Sequence, residues 1–483
     1  MFHHQPRLGR DIELPTQQSS RRDFLRSSYN GLGMLALAGM LADELDLAPA
    51  AAQAAATAIS DAHHKTKAKH CIFLFMAGGV SQMDTFDYKP ELYKLDDKTI
   101  KVKTFGRGGH KNEGVIVGPK WKFKQYGESG IPVSDLFPHI AEHVDDMAVI
   151  RSMVSKFSEH TNGNYFLHTG HGQQGRPSMG AWVAYGLGSE NDNLPGFITI
   201  SPPMMHGAQQ NYGSAFLPAA YQGTAVGDFK TPMTQSKIRN LMRAEPTAEL
   251  QRMQLDLIQD ANRQHAASSA SDLRLEGRIE SLELAFRMQM EAPQVLDTSG
   301  ETQQTYDLYG INGSPTDNFG RQCLLARRLV ENGVRFVQCS HSYKWDQHGN
   351  LRGGHSTNAH EVDQPVAALI IDLKQRGLLD DTLVVWGTEF GRTPVVQGND
   401  GRDHNPYGFT MWMAGGGVKP GMAYGSTDEF GYFAQDNKVS MYDFHATMLY
   451  LLGIEHTALT YHYAGRDFRL TDVFGHVVKD VIA

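Results

Sequence analysis

The chain has 483 residues, with 45 Lys and Arg against 53 Asp and Glu, and a net charge of −8 at pH 7. This acidic balance, without a clustered basic run, argues against nucleic-acid binding, which needs a Lys/Arg-rich face. The three cysteines are odd in number and lack metal-motif spacing, so we interpret Cys71, Cys323 and Cys339 as buried small hydrophobic residues.

The first 52 residues have the features of an export signal. Arg21 and Arg22 precede an apolar stretch at residues 31–42, and an Ala-rich tract follows. This pattern is typical of signals for the twin-arginine translocase. The apolar stretch is shorter than the roughly 18 residues that a spanning helix needs. We therefore expect residues 1–52 to be removed, and the mature chain to be periplasmic or secreted without a membrane span.

Short apolar runs alternate with helical patterns along the rest of the chain, as in a large α/β domain. Apolar runs without in–out alternation are typical of strands covered on both faces, as in a parallel sheet. The runs predict strands at residues 71–76, 147–150, 197–200, 334–339, 382–386 and 409–414. The expected fold class is α/β, with a mostly parallel sheet sandwiched by helices.

Helical spacing of apolar residues predicts helices at residues 318–332, 362–376 and 442–452, each followed by a glycine that can end it. Residues 245–292 are polar and rich in Gln and Arg, and we interpret them as a helical insertion broken near residues 266–269. This insertion either packs on the main domain or covers the site as a lid. Residues 101–130 predict a long loop with room for a hairpin.

Acidic and imidazole side chains follow two of the predicted strands. Asp346 and His348 come after the strand at residues 334–339, Glu389 follows the strand at 382–386, and Asp403 and His404 come shortly afterwards. Carboxyl ends of parallel strands meet at one edge, so these five residues predict a metal or substrate site. Solvated loop residues are the alternative. The ligand types suit zinc, manganese, magnesium or calcium rather than copper(I) or an iron–sulfur cluster.

Three further candidates border this predicted site. Two glycines after the first strand allow a ligand to approach the backbone, and Asp84 is placed to enter the same crevice. His160 and Thr161 precede a helical stretch, where a helix N-terminus favours an anion and a side chain can attack a substrate. Helix capping alone is the alternative for Thr161.

Two arginines and one histidine complete the candidates. Arg392 and Arg402 could bind a substrate anion through their forked donors, or pair with Glu389 or Asp403. His445 is a lesser candidate, for which a contact with the sheet edge near a helix start is the alternative.

Several long strings of the sequence resemble one protein family. The strings are CIFLFMAGG, SQMDTFD, RQCLLARRLVENGVRFVQ, WDQHGN, LVVWGTEFGRTP and GRDHNPYG. They resemble the exported bacterial family called domain of unknown function 1501, which is often labelled sulfatase-like and placed in the alkaline phosphatase superfamily. The likeness covers residues 67–483, including the helical insertion. It implies a mostly parallel sheet with two divalent metals at its carboxyl edge.

The resemblance also implies roles for particular residues. Asp84 resembles the first metal ligand, Asp346 with His348 the middle pair, and His404 the late histidine, while Glu389 replaces an Asp. The chain departs from the pattern at two places: Phe390 stands where the second metal's histidine is expected, and His160 rather than Thr161 falls at the nucleophile position. The sulfatase signature with Cys or Ser is missing, which disfavours a formylglycine sulfatase.

Three functions agree with these features. The first is a hydrolase that uses one or two divalent ions on phosphate or sulfate esters of small molecules or polysaccharides. The second is a member of the same fold that has lost hydrolysis and binds a glycan or a partner protein. The third is a metal-dependent isomerase or transferase, since a fold does not fix a reaction.

Overall fold

A central nine-stranded sheet organises the chain in the computed structural model, which describes residues 63–102, 113–241, 247–267, 273–313 and 315–483. The predicted signal segment, residues 1–52, lies outside the described residues. The strands are β1 (His70–Met76), β2 (Met147–Val154), β3 (Phe197–Ile200), β4 (Thr224–Val226), β5 (Phe336–His341), β6 (Thr382–Gly387), β7 (Phe409–Ala414), β8 (Met422–Tyr424) and β9 (Val439–Ser440).

The strand order is β8-β2-β7-β6-β1-β5-β3-β4, and β9 also pairs with β2. Pairing is parallel except at β7, which runs antiparallel to β6 and β2. All residues of β1 and β6 are buried, which confirms the interpretation of continuous apolar runs as strands covered on both faces. The predicted fold class, α/β with a mostly parallel sheet flanked by helices, is therefore confirmed.

Strand β7 has the predicted bounds but not the expected direction. Between β6 and β7 the chain forms an antiparallel hairpin of Gly391–Gln397 and Gly401–Asn405, which we call the site hairpin. The chain returns from this hairpin at the carboxyl edge of β6 without a crossover, so β7 has to run back antiparallel. Its apolar run looks the same in either direction, because β7 is buried throughout.

Ten α-helices occur among the described residues. They are α1 (Gln82–Thr85), α2 (Pro90–Leu95), α3 (His160–Thr169), α4 (Met179–Leu187), α5 (Ala248–Ala267), α6 (Leu273–Leu296), α7 (Gln303–Leu308), α8 (Asp317–Glu331), α9 (Leu351–Gln375) and α10 (Met441–Leu451). The predicted helices correspond to α8, α9 and α10. Helix α9 begins at Leu351, well before residue 362, because its first turns contain two glycines and several polar residues that hide the apolar spacing.

The predicted insertion is a pair of helices, α5 and α6, and the break between them lies outside the described residues. Arg252 of α5 bonds to Glu283 of α6 at 2.8 Å. Helix α6 buries Met288, Ala292 and Val295 in the main core. The insertion therefore packs on the main domain.

Smaller hairpins surround the sheet. They pair Thr99–Ile100 with Gly114–Val115, Phe123–Tyr126 with Ile131–Ser134, Ser426–Thr427 with Ala434–Asp436, and Tyr461–Tyr463 with Arg466–Phe468. The three cysteines are free and buried, as predicted. Among the described helices, none combines the length and apolar character needed to cross a membrane.

Candidate metal centre

Four side chains converge at the carboxyl edge of the sheet. His160, Asp346, His348 and His404 each offer a donor atom, and these atoms all lie within 4.8 Å of one another. The Asp346 carboxylate is central: Oδ1 lies 2.9 Å from Nε2 of His348 and 3.3 Å from Nε2 of His404. Its Oδ2 lies 3.3 Å from Nε2 of His160. We call these four residues the His–Asp cluster.

Parallel strands deliver these residues to one edge. His160 opens α3, which follows β2, Asp346 and His348 lie in the loop after β5, and His404 comes from the site hairpin. Gly78, in the turn after β1, has φ +117°, and a Cβ atom there would lie 2.7 Å from the backbone nitrogen of Asp346. Only glycine therefore lets this turn approach the Asp346 loop so closely.

Each imidazole of the cluster is oriented by a partner at Nδ1. Nδ1 of His404 lies 2.6 Å from the carbonyl oxygen of Ser158, and Nδ1 of His160 lies 2.6 Å from Oε1 of Glu389. Nδ1 of His348 contacts the side-chain oxygen of Gln397. A carbonyl oxygen only accepts, so Nδ1 of His404 carries the proton and Nε2 presents its lone pair to the cluster. Such outer-shell acceptors commonly orient metal-binding histidines.

The donor set of the cluster fits a divalent metal ion. Nε2 of His160 is buried and faces Oδ2 of Asp346 at 3.3 Å without the geometry of a hydrogen bond. A buried polar atom without a hydrogen bond is costly, and a bound ion would satisfy it. Three imidazole nitrogens with one carboxylate suit zinc or another borderline divalent ion. Calcium and magnesium prefer oxygen ligands, so they fit less well.

Electrostatics hold the cluster together. Burial raises the pKa of Asp346, but its contacts with His160, His348 and His404 outweigh burial and bring that pKa far below its usual value. Burial lowers the pKa of His160, but its contacts with Asp346 and Glu389 outweigh burial and raise the pKa to about 9. Burial lowers the pKa of His404, with Asp346 opposing. A bound cation would replace the proton of His160.

Glu389, a predicted metal ligand, lies beside the cluster rather than in it. Its side chain is fully buried and accepts hydrogen bonds from the backbone nitrogen of Gly78 at 3.0 Å and from Oγ1 of Thr388 at 3.0 Å. Burial raises its pKa, but the bond and charge of His160 outweigh it and hold the pKa below its usual value. Glu389 therefore orients His160 and fixes the turn after β1.

Asp84 and Asp403, also predicted as metal ligands, lie outside the cluster. Asp84 forms a fully buried ion pair with Arg402, whose Nε lies 2.7 Å from Oδ2 and whose Nη2 lies 3.2 Å from Oδ1. Oδ1 of Asp403 accepts a hydrogen bond from the backbone nitrogen of His404 at 2.8 Å. These carboxylates therefore support the site hairpin.

The guanidinium of Arg392 forms hydrogen bonds with other groups of the protein. Its Nε donates to the carbonyl of Gly79 at 2.9 Å, Nη1 donates to that of Arg402 at 3.0 Å, and Nη2 bonds to Gly78 and, at 2.6 Å, to Oδ1 of Asp346. The predicted alternative of structural pairing describes both arginines, although their partners are Asp346 and Asp84 rather than Glu389 and Asp403. Neither guanidinium is placed to bind a substrate anion, because both are fully buried.

The two candidates for attack on a substrate differ in position. His160 belongs to the cluster itself, whereas Thr161 lies beside it and is partly exposed. Oγ1 of Thr161 lies 3.2 Å from Nδ1 of His206, a residue that sequence analysis missed. The rings of His206 and Tyr343 lie 5.2 Å and 5.7 Å from that of His160. His206 follows β3 at the same edge, which is the signal that could have found it.

His445 is a core histidine. It is fully buried in α10, and its Nε2 lies 2.7 Å from the carbonyl oxygen of Leu167 in α3. Burial lowers its pKa to about 4. It lies outside the His–Asp cluster, and its partner is a helix rather than the sheet edge.

The fold and the cluster together define an α/β protein with a candidate metal centre at the carboxyl edge of a mostly parallel sheet. The chain belongs to the family described as "Protein of unknown function (DUF1501)", whose model matches residues 68–482. The predicted family is therefore confirmed. No relative is found among the curated proteins.

Several solved structures are similar to the chain at low identity. The lipoteichoic acid synthase LtaP from Listeria monocytogenes has a TM-score of 0.37 and 10% identity, covering 80% of this chain and 72% of that chain. A sulfatase from Pseudoalteromonas sp. has a TM-score of 0.34 and 13% identity over 80% and 68%. The alkaline phosphatase from the Antarctic bacterium TAB5 has a TM-score of 0.32 and 11% identity over 74% and 94%.

Proposed function

We propose that this protein is a metal-dependent hydrolase of phosphate or sulfate esters. The observation that carries the proposal is the His–Asp cluster, in which three oriented imidazoles and the Asp346 carboxylate converge; Thr161 follows His160 in the chain, and its hydroxyl lies 3.2 Å from Nδ1 of His206. The ester class rests on the sequence motifs that resemble the alkaline phosphatase superfamily. Small-molecule and polysaccharide esters both agree with the proposal.

The cluster residues would hold the ion through Nε2 of His160, His348 and His404 and through Asp346. A divalent ion bound there, zinc or manganese, would polarise an ester oxygen and stabilise the charge that develops on it. The partners at Nδ1 keep the three rings in place, so the site needs little rearrangement on binding.

Thr161 is our candidate for the attacking group, because His160 is committed to the cluster. Its hydroxyl lies in the first turn of α3, where the N-cap carboxylate of Glu159 accepts a hydrogen bond from the backbone nitrogen of Asn162. Attack by Oγ1 on phosphorus or sulfur would form an ester of Thr161 and release the substrate's alcohol. The hydroxyl proton has an acceptor in Nδ1 of His206 and ends on the leaving oxygen. Water then hydrolyses the Thr161 ester.

Metal content and turnover test the proposal together. The purified protein is loaded with zinc or manganese, freed of excess ion, and assayed with aryl phosphate, phosphodiester and sulfate esters. We expect bound metal and turnover of at least one ester, loss of both in His404→Ala, and loss of turnover alone in Thr161→Ala. His462→Ala, at an exposed histidine, is the matched control. Tight binding of the metal without turnover of any of these esters would contradict the proposal of a hydrolase.

We also propose export through the twin-arginine translocase, on the pattern around Arg21 and Arg22. Residues 1–52 fused to a reporter should send it to the periplasm, and replacement of both arginines by lysine should keep it in the cytoplasm. Periplasmic reporter in the lysine variant would contradict this route.

A further inference from the structure

We infer that the His–Asp cluster holds one divalent ion, and that the buried guanidinium of Arg392 takes the place of a second cation at Asp346. The inference rests on the metal binding proposed above and adds its stoichiometry. It makes Arg392 a positioning residue with a fixed charge rather than a substrate-binding residue.

Arg392 is the nearest cationic partner of the central carboxylate. Its Nη2 lies 2.6 Å from Oδ1 of Asp346, closer than Nε2 of His348 at 2.9 Å or of His404 at 3.3 Å. The Arg392 side chain has no exposed surface. Asp346 is therefore shared between a permanent cation and the three imidazoles, with Arg392, His348 and His404 at Oδ1 and His160 at Oδ2.

The guanidinium cannot move aside for a second ion. Three backbone carbonyls accept its hydrogen bonds, those of Gly78, Gly79 and Arg402. The two glycines belong to the turn after β1, and Arg402 belongs to the site hairpin. Arg392 thus ties the turn after β1 and the site hairpin to Asp346, and displacing it would leave several buried carbonyl groups without partners.

Hydrocarbon fills the space on the Glu389 side of the cluster. The buried ring of Phe390 lies 4.9 Å from the ring of His160 and 4.6 Å from that of His404. A Cβ atom at Gly79 would lie 2.9 Å from this ring, and one at Gly163 would lie 3.2 Å from it. The Phe390 ring is therefore closely packed against both glycines and both histidines, and it offers no ligand atom to an ion.

The other buried carboxylates already have partners. Asp84 is paired with Arg402, and Glu389 accepts from His160, Gly78 and Thr388. Within the described residues, the His–Asp cluster is the only group of three or more His, Cys, Asp or Glu side chains close enough to share an ion. Arg392 and Arg402 thus neutralise Asp346 and Asp84, two carboxylates that would otherwise attract a second metal ion.

Zinc stoichiometry of the wild-type chain tests the inference. The protein is stripped with a chelator, titrated with zinc chloride, freed of unbound ion and analysed for zinc per chain by mass spectrometry. We expect one ion per chain and a single binding step. Two ions per chain would overturn the inference and leave the hydrolase proposal standing. No bound ion would overturn both.

Arg392 variants test the role of its charge. Arg392→Met removes the charge at similar length and should bind zinc roughly tenfold or more tightly, because Asp346 is no longer neutralised. Arg392→Lys keeps the charge and should bind like the wild type. Arg402→Lys, at the equally buried arginine that contacts Asp84, is the control. Weaker or unchanged zinc binding in Arg392→Met would overturn the role assigned to the Arg392 charge. If this variant does not fold, the number of zinc ions bound per wild-type chain tests the inference.

Discussion

Nδ1 of His160 lies 2.6 Å from Oε1 of Glu389, and both side chains are buried at the carboxyl edge of the sheet. Glu389 therefore fixes the ring so that Nε2 faces Asp346. This pair makes the outer carboxylate as important to the site as a direct ligand.

Glu389→Gln is expected to weaken zinc binding by about 10- to 100-fold, because the neutral amide holds the His160 ring less firmly and makes it a poorer donor. Zinc affinity measured by calorimetry checks this. Asp403→Asn is the matched control, since Asp403 contacts only the backbone of His404 among the cluster residues. Equal zinc affinity in Glu389→Gln and the wild type would contradict the orienting role.

Zinc is expected to stabilise the folded chain. An ion that binds only the native state adds about 2.7 kcal/mol to the free energy of unfolding when its free concentration is 100 times Kd. Urea unfolding with zinc and with a chelator measures the difference. His348→Ala should lose most of it, whereas His462→Ala should keep it. If zinc raised the free energy of unfolding equally in both variants, the ion would bind outside the His–Asp cluster.

Asp84→Ala is expected to lower the free energy of unfolding by about 3–5 kcal/mol, because it leaves the fully buried Arg402 without its carboxylate. Zinc bound per chain should stay unchanged. The two measurements separate an ion pair from a metal ligand. Loss of bound zinc from a folded Asp84→Ala protein would assign Asp84 to the metal centre instead.

Acid should destabilise the protein through its buried histidines. Burial lowers the pKa of His168, His355 and His445 to about 4 each. The unfolded chain takes up these protons near pH 6.5, so stability is full above that pH and falls between pH 6.5 and 4. Each histidine contributes about 1.4 kcal/mol per pH unit in this window.

His355→Phe isolates one of these contributions. Both ring nitrogens of His355 lack hydrogen-bond partners, and its ring stacks 5.8 Å from that of Trp121, so phenylalanine breaks no hydrogen bond. The free energy of unfolding should fall with acid less steeply, by about 1.4 kcal/mol per pH unit. An unchanged slope between pH 6.5 and 5 would show that His355 does not remain neutral in the fold.

The sequence predicts six of the nine sheet strands and much of the cluster; the other three strands, β4, β8 and β9, are only two or three residues long. Buried strands leave continuous apolar runs, and Asp346, His348 and His404 follow such runs in order along the chain. The pairing of Asp84 with Arg402 was not predictable, because these residues are far apart in sequence and either could face an ion or each other. The same holds for Arg392, whose partners are mostly backbone carbonyls. The direction of β7 depends on the site hairpin rather than on its own residues.

Two further residues near the site, His206 and Tyr343, could not be predicted from a sequence pattern. His206 and Tyr343 lie in loops, where no periodicity marks the side chains that reach the site. His206 also has φ +49°, a left-handed backbone conformation that the neighbouring residues in the sequence do not predict. Phe390 departs from the family pattern in the sequence, but its packing against His160 and His404 depends on the fold.

A zinc-soaked crystal, with anomalous scattering recorded at the zinc absorption edge, tests the central claim most directly. We predict a single strong peak at about 2.0–2.1 Å from Nε2 of His160, His348 and His404 and next to the Asp346 carboxylate. The Arg392 guanidinium should remain bonded to that carboxylate. The absence of a peak at these four residues, or a peak on Asp84 or Glu389 instead, would contradict the account.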